Sequence, residues 1–162
     1  MFKQIFFWAI STLLLGVFTT PAAAQGNSYG HLFAAAGGTA PNGTGTLHFG
    51  GGGEGVFSNG AGVGAELGYV HAFRDFTSGV GVFAINGSYH HLKSGSKTTP
   101  FITGGYSGFF RDGYSNGINF GGGVNYWFKE RTGLRVEFRD HIALGDSEAA
   151  HFLGVRVGLT FR

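Results

Sequence analysis

The chain has 162 residues, with 32 Gly, 18 Phe, 3 Pro and no Cys; charged residues make up 12%, aromatics 16%, and the formal net charge is +2. The aromatic content excludes charge-rich disorder, the scarcity of Pro and the lack of a G-X-Y period exclude collagen, and so much Gly, at about 1 kcal/mol per helix-interior site, argues against an ordinary helical domain. The missing Cys removes disulfide frameworks, thiol catalysis and Cys-based zinc sites, and no run of Lys and Arg marks a nucleic-acid footprint, so no nucleic-acid partner is expected.

Residues 1–24 read as a secretory signal peptide. Lys3 supplies the positive start, Ile5 to Phe18 the apolar stretch, and Ala22-Ala23-Ala24 the small-residue cleavage pattern, which leaves residues 25–162 as one mature domain. No apolar run after the leader is long enough for a membrane helix. Instead, eight short segments follow at 28–36, 44–54, 61–71, 79–91, 99–110, 117–128, 133–142 and 152–161, separated by clusters of Gly, Asn, Asp and Ser.

Within these segments apolar and polar residues alternate with period two. Val63, Leu67 and Tyr69 oppose Glu66; Phe83, Ile85 and Tyr89 oppose Asn86, Ser88 and His90. Ile118, Phe120, Val124, Tyr126 and Phe128 oppose Asn119, Asn125 and Trp127. Leu134, Val136 and Phe138 oppose Arg135, Glu137, Arg139 and His141. In the last segment Leu153, Val155, Val157, Leu159 and Phe161 oppose Gly154, Arg156, Gly158 and Thr160. Such alternation suits a soluble sheet with its apolar face inward, or a membrane barrel with that face toward lipid. An export leader, eight strands of roughly ten residues, charge-poor polar faces and aromatics near segment ends favour the inverted, membrane arrangement. The fold class expected is an all-β, eight-stranded antiparallel up-and-down transmembrane barrel. Tyr126, Trp127 and Phe128 are expected in an aromatic girdle at the bilayer rim. Loops near 37–43, 72–78, 111–116 and 143–151 are expected to face outward, and short turns such as Lys129–Thr132 to face the periplasm.

This pattern, the segment Asn119–Phe128 and the segment Gly133–Asp140 resemble the small eight-stranded outer-membrane β-barrel proteins of bacteria, the OmpA/OmpX-like transmembrane domain group. The resemblance covers the whole mature chain. It implies residence in the bacterial outer membrane, with outer-membrane lipids and the outer-membrane assembly machinery as partners. The last segment, Leu153, Val155, Val157, Leu159 and Phe161 at alternate positions, resembles the C-terminal assembly signal of that group, with Arg162 following the Phe that ends the family pattern.

The polar faces carry Glu66, Arg135, Glu137, Arg139 and Arg156, with Glu54 near a strand end. A charge inside a narrow barrel must be paired. A lumenal network of Glu66, Arg135, Glu137, Arg139 and Arg156 is therefore expected, joining Glu66 and Glu137 to Arg139 and Arg156, and filling the interior rather than gating an ion path. The expected function is a small non-porin barrel with a structural or loop-binding role, a polar plugged lumen and an unknown ligand, if any, at its outer loops. Neither cofactor nor metal is expected: His90 and His91 point to opposite faces, as do Asp140 and His141, while His31, His48 and His71 read as isolated. The Gly runs at 50–53 and 121–123 are followed by neither a Lys-Ser/Thr pair nor a helical pattern, so they are not nucleotide loops. Two alternatives remain. Ser147 and His151, with Asp146 and Glu148, have the residue types of a lipid hydrolase at the outer rim, and a secreted lipocalin-like barrel would bind an apolar ligand inside.

Overall fold

The computed structural model describes residues 26–145 and 149–162. The leader, Gln25, Asp146, Ser147 and Glu148 lie outside the described residues. Eight strands follow one another in chain order: β1 (Gly26–Ala40), β2 (Gly45–Phe57), β3 (Ala61–Ala72), β4 (Asp75–His90), β5 (Thr98–Phe110), β6 (Tyr114–Trp127), β7 (Thr132–Ala143) and β8 (Ala150–Phe161). Each pairs antiparallel with the next, and β1 also pairs with β8, so the sheet closes. Closure satisfies every edge, which an open sheet would leave as unpaired N–H and C=O groups.

The strands are 12–16 residues long, more than expected from sequence. Most of the difference lies at the end away from the termini, with shorter extensions such as Gly55–Phe57 at the other. Gly37–Ala40, expected in a loop, pair with His151–Gly154. Phe76, also expected in a loop, belongs to β4, and the β3–β4 connection shrinks to a tight turn at Phe73 and Arg74. Ladder pairing satisfies the backbone at Gly37–Ala40 despite the small side chains, whereas the Phe76 carbonyl accepts from the Tyr69 hydroxyl at 2.8 Å. A register shift between Val70 and Ala72 marks a bulge beside that turn.

Alternation sorts the side chains into two surfaces. Leu32, Val63, Leu67, Ile85, Ile102, Phe120, Phe138, Val155 and Val157 are exposed on the outside. Arg135, Glu137, Arg139, Arg156, Glu66, Asn119 and Asn125 are buried within. The expected inversion of a soluble sheet is therefore present residue by residue. At the end carrying the termini, Phe57, Tyr89, Tyr126, Phe128 and Phe161 form an outward aromatic ring. Trp127, expected in that girdle, is instead buried in the lumen with Tyr29 and Val56. Its neighbours Tyr126 and Phe128 take the outward positions, and period two leaves Trp127 no alternative.

Glycine serves close backbone approach. A Cβ on inward-facing Gly158 would lie 2.0 Å from the Leu32 carbonyl oxygen. Outward-facing Gly51 lies beneath Leu32, whose Cδ2 would be 2.7 Å from an added Cβ. This accounts for a glycine where lipid-facing bulk is expected.

Candidate functional site

The site is the lumen. Arg135, Glu137 and Arg139 are spaced by two on β7 and so point to one face. The register sets Arg156 of β8 opposite Glu137. Glu54 on β2 and Glu66 on β3 reach across from the far wall. Three carboxylates thus meet three guanidiniums.

The contacts form one connected chain. Arg135 donates from Nη1 to Glu54 Oε1 at 3.1 Å and from Nε to Glu137 Oε2 at 3.0 Å. Arg139 also pairs with Glu137, and its Nη2 lies 3.5 Å from Glu66 Oε1. Arg156 Nη1 donates to Glu66 Oε2 at 3.0 Å. Glu54, Arg135, Glu137, Arg139, Glu66 and Arg156 thus follow one another in a single run of contacts. Apolar rings hold two of the cations: Arg135 lies over Phe101 at 3.9 Å, and Arg156 over Phe33 at 4.1 Å. Such stacking suits a planar, weakly hydrated guanidinium better than an ammonium.

Histidine, serine and asparagine side chains complete the network. Ser88 Oγ donates to Glu54 Oε2 at 2.8 Å, and His90 Nε2 lies 3.1 Å from the same oxygen. His31 Nε2 is 3.0 Å from Glu66 Oε1. Arg156 Nη2 donates to His141 Nε2 at 2.6 Å. An accepting Nε2 leaves Nδ1 as the protonated nitrogen of a neutral imidazole, placed to donate to Ser107 Oγ at 2.9 Å. Arg139 Nη1 donates to Asn119, whose Nδ2 donates to Ser107 Oγ at 3.0 Å.

Several of these partners escape sequence reasoning. His31 and His48, which look isolated, both face the lumen; His31 joins Glu66, and the His48 ring lies 5.6 Å from that of His141. His31 falls on the lumenal parity of β1, which is the signal that could have found it. Its partner Glu66 lies two strands away, and strand tilt decides that meeting. His71, with outward parity, packs against Phe49, Tyr69 and Phe76. Asp140 accepts from neither of its sequence neighbours but meets His151, whose Nδ1 is 2.8 Å from Asp140 Oδ2 on the outward side near the rim. Ser147, the proposed companion of His151, lies outside the described residues. Among the described residues no three His, Asp or Glu side chains converge as a metal site.

The cavity bordered by His48, Arg139, His141 and Arg156 is about 10 Å³, roughly one water. Leu153, Val155, Val157, Leu159 and Phe161, the positions expected to carry an assembly signal, make up the outward face of β8 and lie beside β1 and β7.

No family model matches the chain, and no curated protein matches it. Solved structures do. The chain is similar to Neisserial surface protein A, with TM-score 0.65, 12% identity and coverage of 83% of this chain and 96% of that one. It is similar to the N-terminal barrel domain of Pseudomonas aeruginosa OprF, with TM-score 0.58, 16% identity and coverage of 85% and 100%. It is also similar to the Yersinia pestis attachment invasion locus protein Ail, solved with the heparin analogue sucrose octasulfate, with TM-score 0.53, 11% identity and coverage of 84% and 99%. The chain has the fold of small eight-stranded outer-membrane β-barrels.

Proposed function

We propose that the chain is an integral β-barrel of the bacterial outer membrane with a structural role and a lumen plugged by its own charges. One pair of neighbours carries the reading: Phe138 is 47% exposed on the outside, while Arg139 is 1% exposed inside. A soluble barrel would reverse them. Outer-membrane lipids cover the apolar wall, and the assembly machinery reads β8 through Phe161. Both chain ends face the periplasm, and the β1–β2, β3–β4, β5–β6 and β7–β8 connections face outward.

The plug is supported by the connected Arg–Glu chain and by the small space beside it. Extraction only by detergent, together with heat-modifiable gel migration, tests the barrel reading; release by urea or carbonate overturns it. Planar-bilayer recording tests the plug. The wild type is expected to conduct no steady current, and stable ohmic conductance overturns that part.

Ail was solved with a sulfated sugar analogue. The outer end of this chain is poorly suited to a polyanion, since Arg111 lies 3.5 Å from its own neighbour Asp112 and Arg74 precedes Asp75. A second reading, hydrolysis of lipid esters at the outer rim, is favoured by the Asp140–His151 pair. It requires ester hydrolysis by the wild type that His151→Ala abolishes; an inactive wild type removes it.

A further inference from the structure

The charges outside the lumen are sorted along the barrel axis. Every lysine among the described residues, Lys93, Lys97 and Lys129, lies at the end that holds the chain termini. Arg131 and Arg162 join them, and Glu130 is the acid among them. At the opposite end Arg74 and Arg111 stand beside Asp75 and Asp112. These lysines are scattered in sequence, and only barrel closure gathers them.

They surround a vestibule. A cavity of about 650 Å³ opens at the terminal end, walled by Lys93, Lys97, Lys129 and Arg162 with Glu130 as the one acid in its lining, and with the buried aromatics Tyr29 and Trp127 as its inner surface. The cations come from three separate segments: the β4–β5 loop, the β6–β7 turn and the C-terminus. Arg162 is held in place. Its guanidinium lies 4.3 Å above the Trp127 ring, Nε donates to the Glu130 carbonyl at 2.7 Å, and its backbone N–H donates to the Arg131 carbonyl at 3.1 Å. The β4–β5 loop is anchored too. The Trp127 backbone N–H donates to the Lys97 carbonyl at 2.7 Å, and the Ser96 backbone N–H to the Lys93 carbonyl at 3.1 Å. None of the three lysines makes an ion pair with a described residue.

We propose that this vestibule binds an acidic peptide, a short chain carrying two or more carboxylates, presented from the periplasmic side. The cavity has the size of an organic-ligand site rather than that of a single ion. Cations on separate segments suit carboxylates spaced along a chain, and the aromatic inner surface suits its backbone. A phospholipid head group fits less well. The vestibule opens beside the outward aromatics Tyr89, Tyr126 and Phe128, the last of which forms part of its wall, so a head group would have to leave its leaflet and pass that rim to reach Trp127. The inference depends on the membrane reading only for the side from which the peptide arrives.

The test uses the complete mature barrel in nanodiscs of zwitterionic lipid, with fluorescein-labelled tetraglutamate followed by anisotropy. Saturable binding that weakens with salt is expected. Joint replacement Lys93→Gln, Lys97→Gln and Lys129→Gln should weaken it on the order of tenfold or more. Arg74→Gln with Arg111→Gln should leave it unchanged, and labelled tetraglutamine should not bind. Equal binding by the lysine variant, or equal binding of tetraglutamine, overturns the proposal. So does loss of peptide binding when phosphatidylglycerol is added to the discs, which would make a lipid the occupant. Heat-modifiable migration of every variant shows that the barrel is intact, so a failed titration counts against the vestibule alone.

Discussion

Arg139 offers the most direct test of the lumenal network. It is 1% exposed and contacts Glu137, Glu66 and Asn119. Arg139→Met keeps much of the length and removes the charge. Glu54, Glu66 and Glu137 then face only Arg135 and Arg156, leaving one buried negative charge without compensation. Breaking a buried pair in this way costs about 3–5 kcal/mol. The lower part of that range applies here. Glu66 retains Arg156 at 3.0 Å and His31 at 3.0 Å, and Glu137 retains Arg135 at 3.0 Å. A loss of about 3 kcal/mol, with a urea slope of about 2 kcal/mol per M, lowers the unfolding midpoint by roughly 1.5 M. The measurement is equilibrium urea unfolding in lipid vesicles, followed by Trp fluorescence and by heat-modifiable migration. Adding Glu137→Gln to Arg139→Met rebalances the charge and should recover part of the loss. A single variant that unfolds within about 0.5 kcal/mol of wild type would refute the reasoning, because a surface substitution does no more.

Other substitutions probe the remaining surfaces. Val155→Arg, on the outward face opposite Phe138, should cost about 2–4 kcal/mol in vesicles; a neutral effect would remove lipid from that wall. Gly158→Ala places a Cβ 2.0 Å from the Leu32 carbonyl and should lower stability by about 1–3 kcal/mol in the same unfolding assay. Gly55→Ala meets nothing within 4 Å and should instead stabilise by about 0.4–1 kcal/mol through the unfolded chain. Phe161→Ala should reduce membrane-assembled barrel in cells well below the level of Phe76→Ala, read as the heat-modifiable fraction on gels. Both side chains point outward on strands, so equal assembly would deprive β8 of its special role.

What the sequence makes legible is whatever parity controls. The alternation through Arg135, Val136, Glu137, Phe138 and Arg139 assigns each side chain a face before any coordinates are known, and the structure follows it. The same rule places Trp127 inside, against its expected place in a rim of aromatics: residue type suggested the girdle, and geometry overruled it. Strand ends were less legible. Gly37–Ala40 carry turn-like residues, yet ladder pairing extends through them because backbone groups, not side chains, decide where a closed sheet stops; Phe76 falls in the bulged stretch between the Val70–Val80 and Ala72–Asp75 pairs, which no alternation announces. Least legible were contacts across the lumen and around its rim. His31 meets Glu66, and His90 meets Glu54, only because tilted strands bring distant registers to one height. Strand tilt leaves no mark in a period-two pattern.

That limit explains why the two charged regions differ in how readily they are inferred. A lumenal carboxylate must find a cation, since burial without one is costly, and so counting charges on inward faces predicts a balanced network before its partners are known. Lys93, Lys97, Lys129 and Arg162 are under no such compulsion: water can solvate them wherever they fall. Their convergence around one vestibule is therefore not required by folding. Arg162 sharpens the point: its backbone N–H serves the end of the β7–β8 ladder through the Arg131 carbonyl, whereas the seat of its guanidinium over Trp127, with Nε on the Glu130 carbonyl, belongs to the side chain alone. A cation positioned that way, where stability does not demand it, is better explained by an anion that it meets.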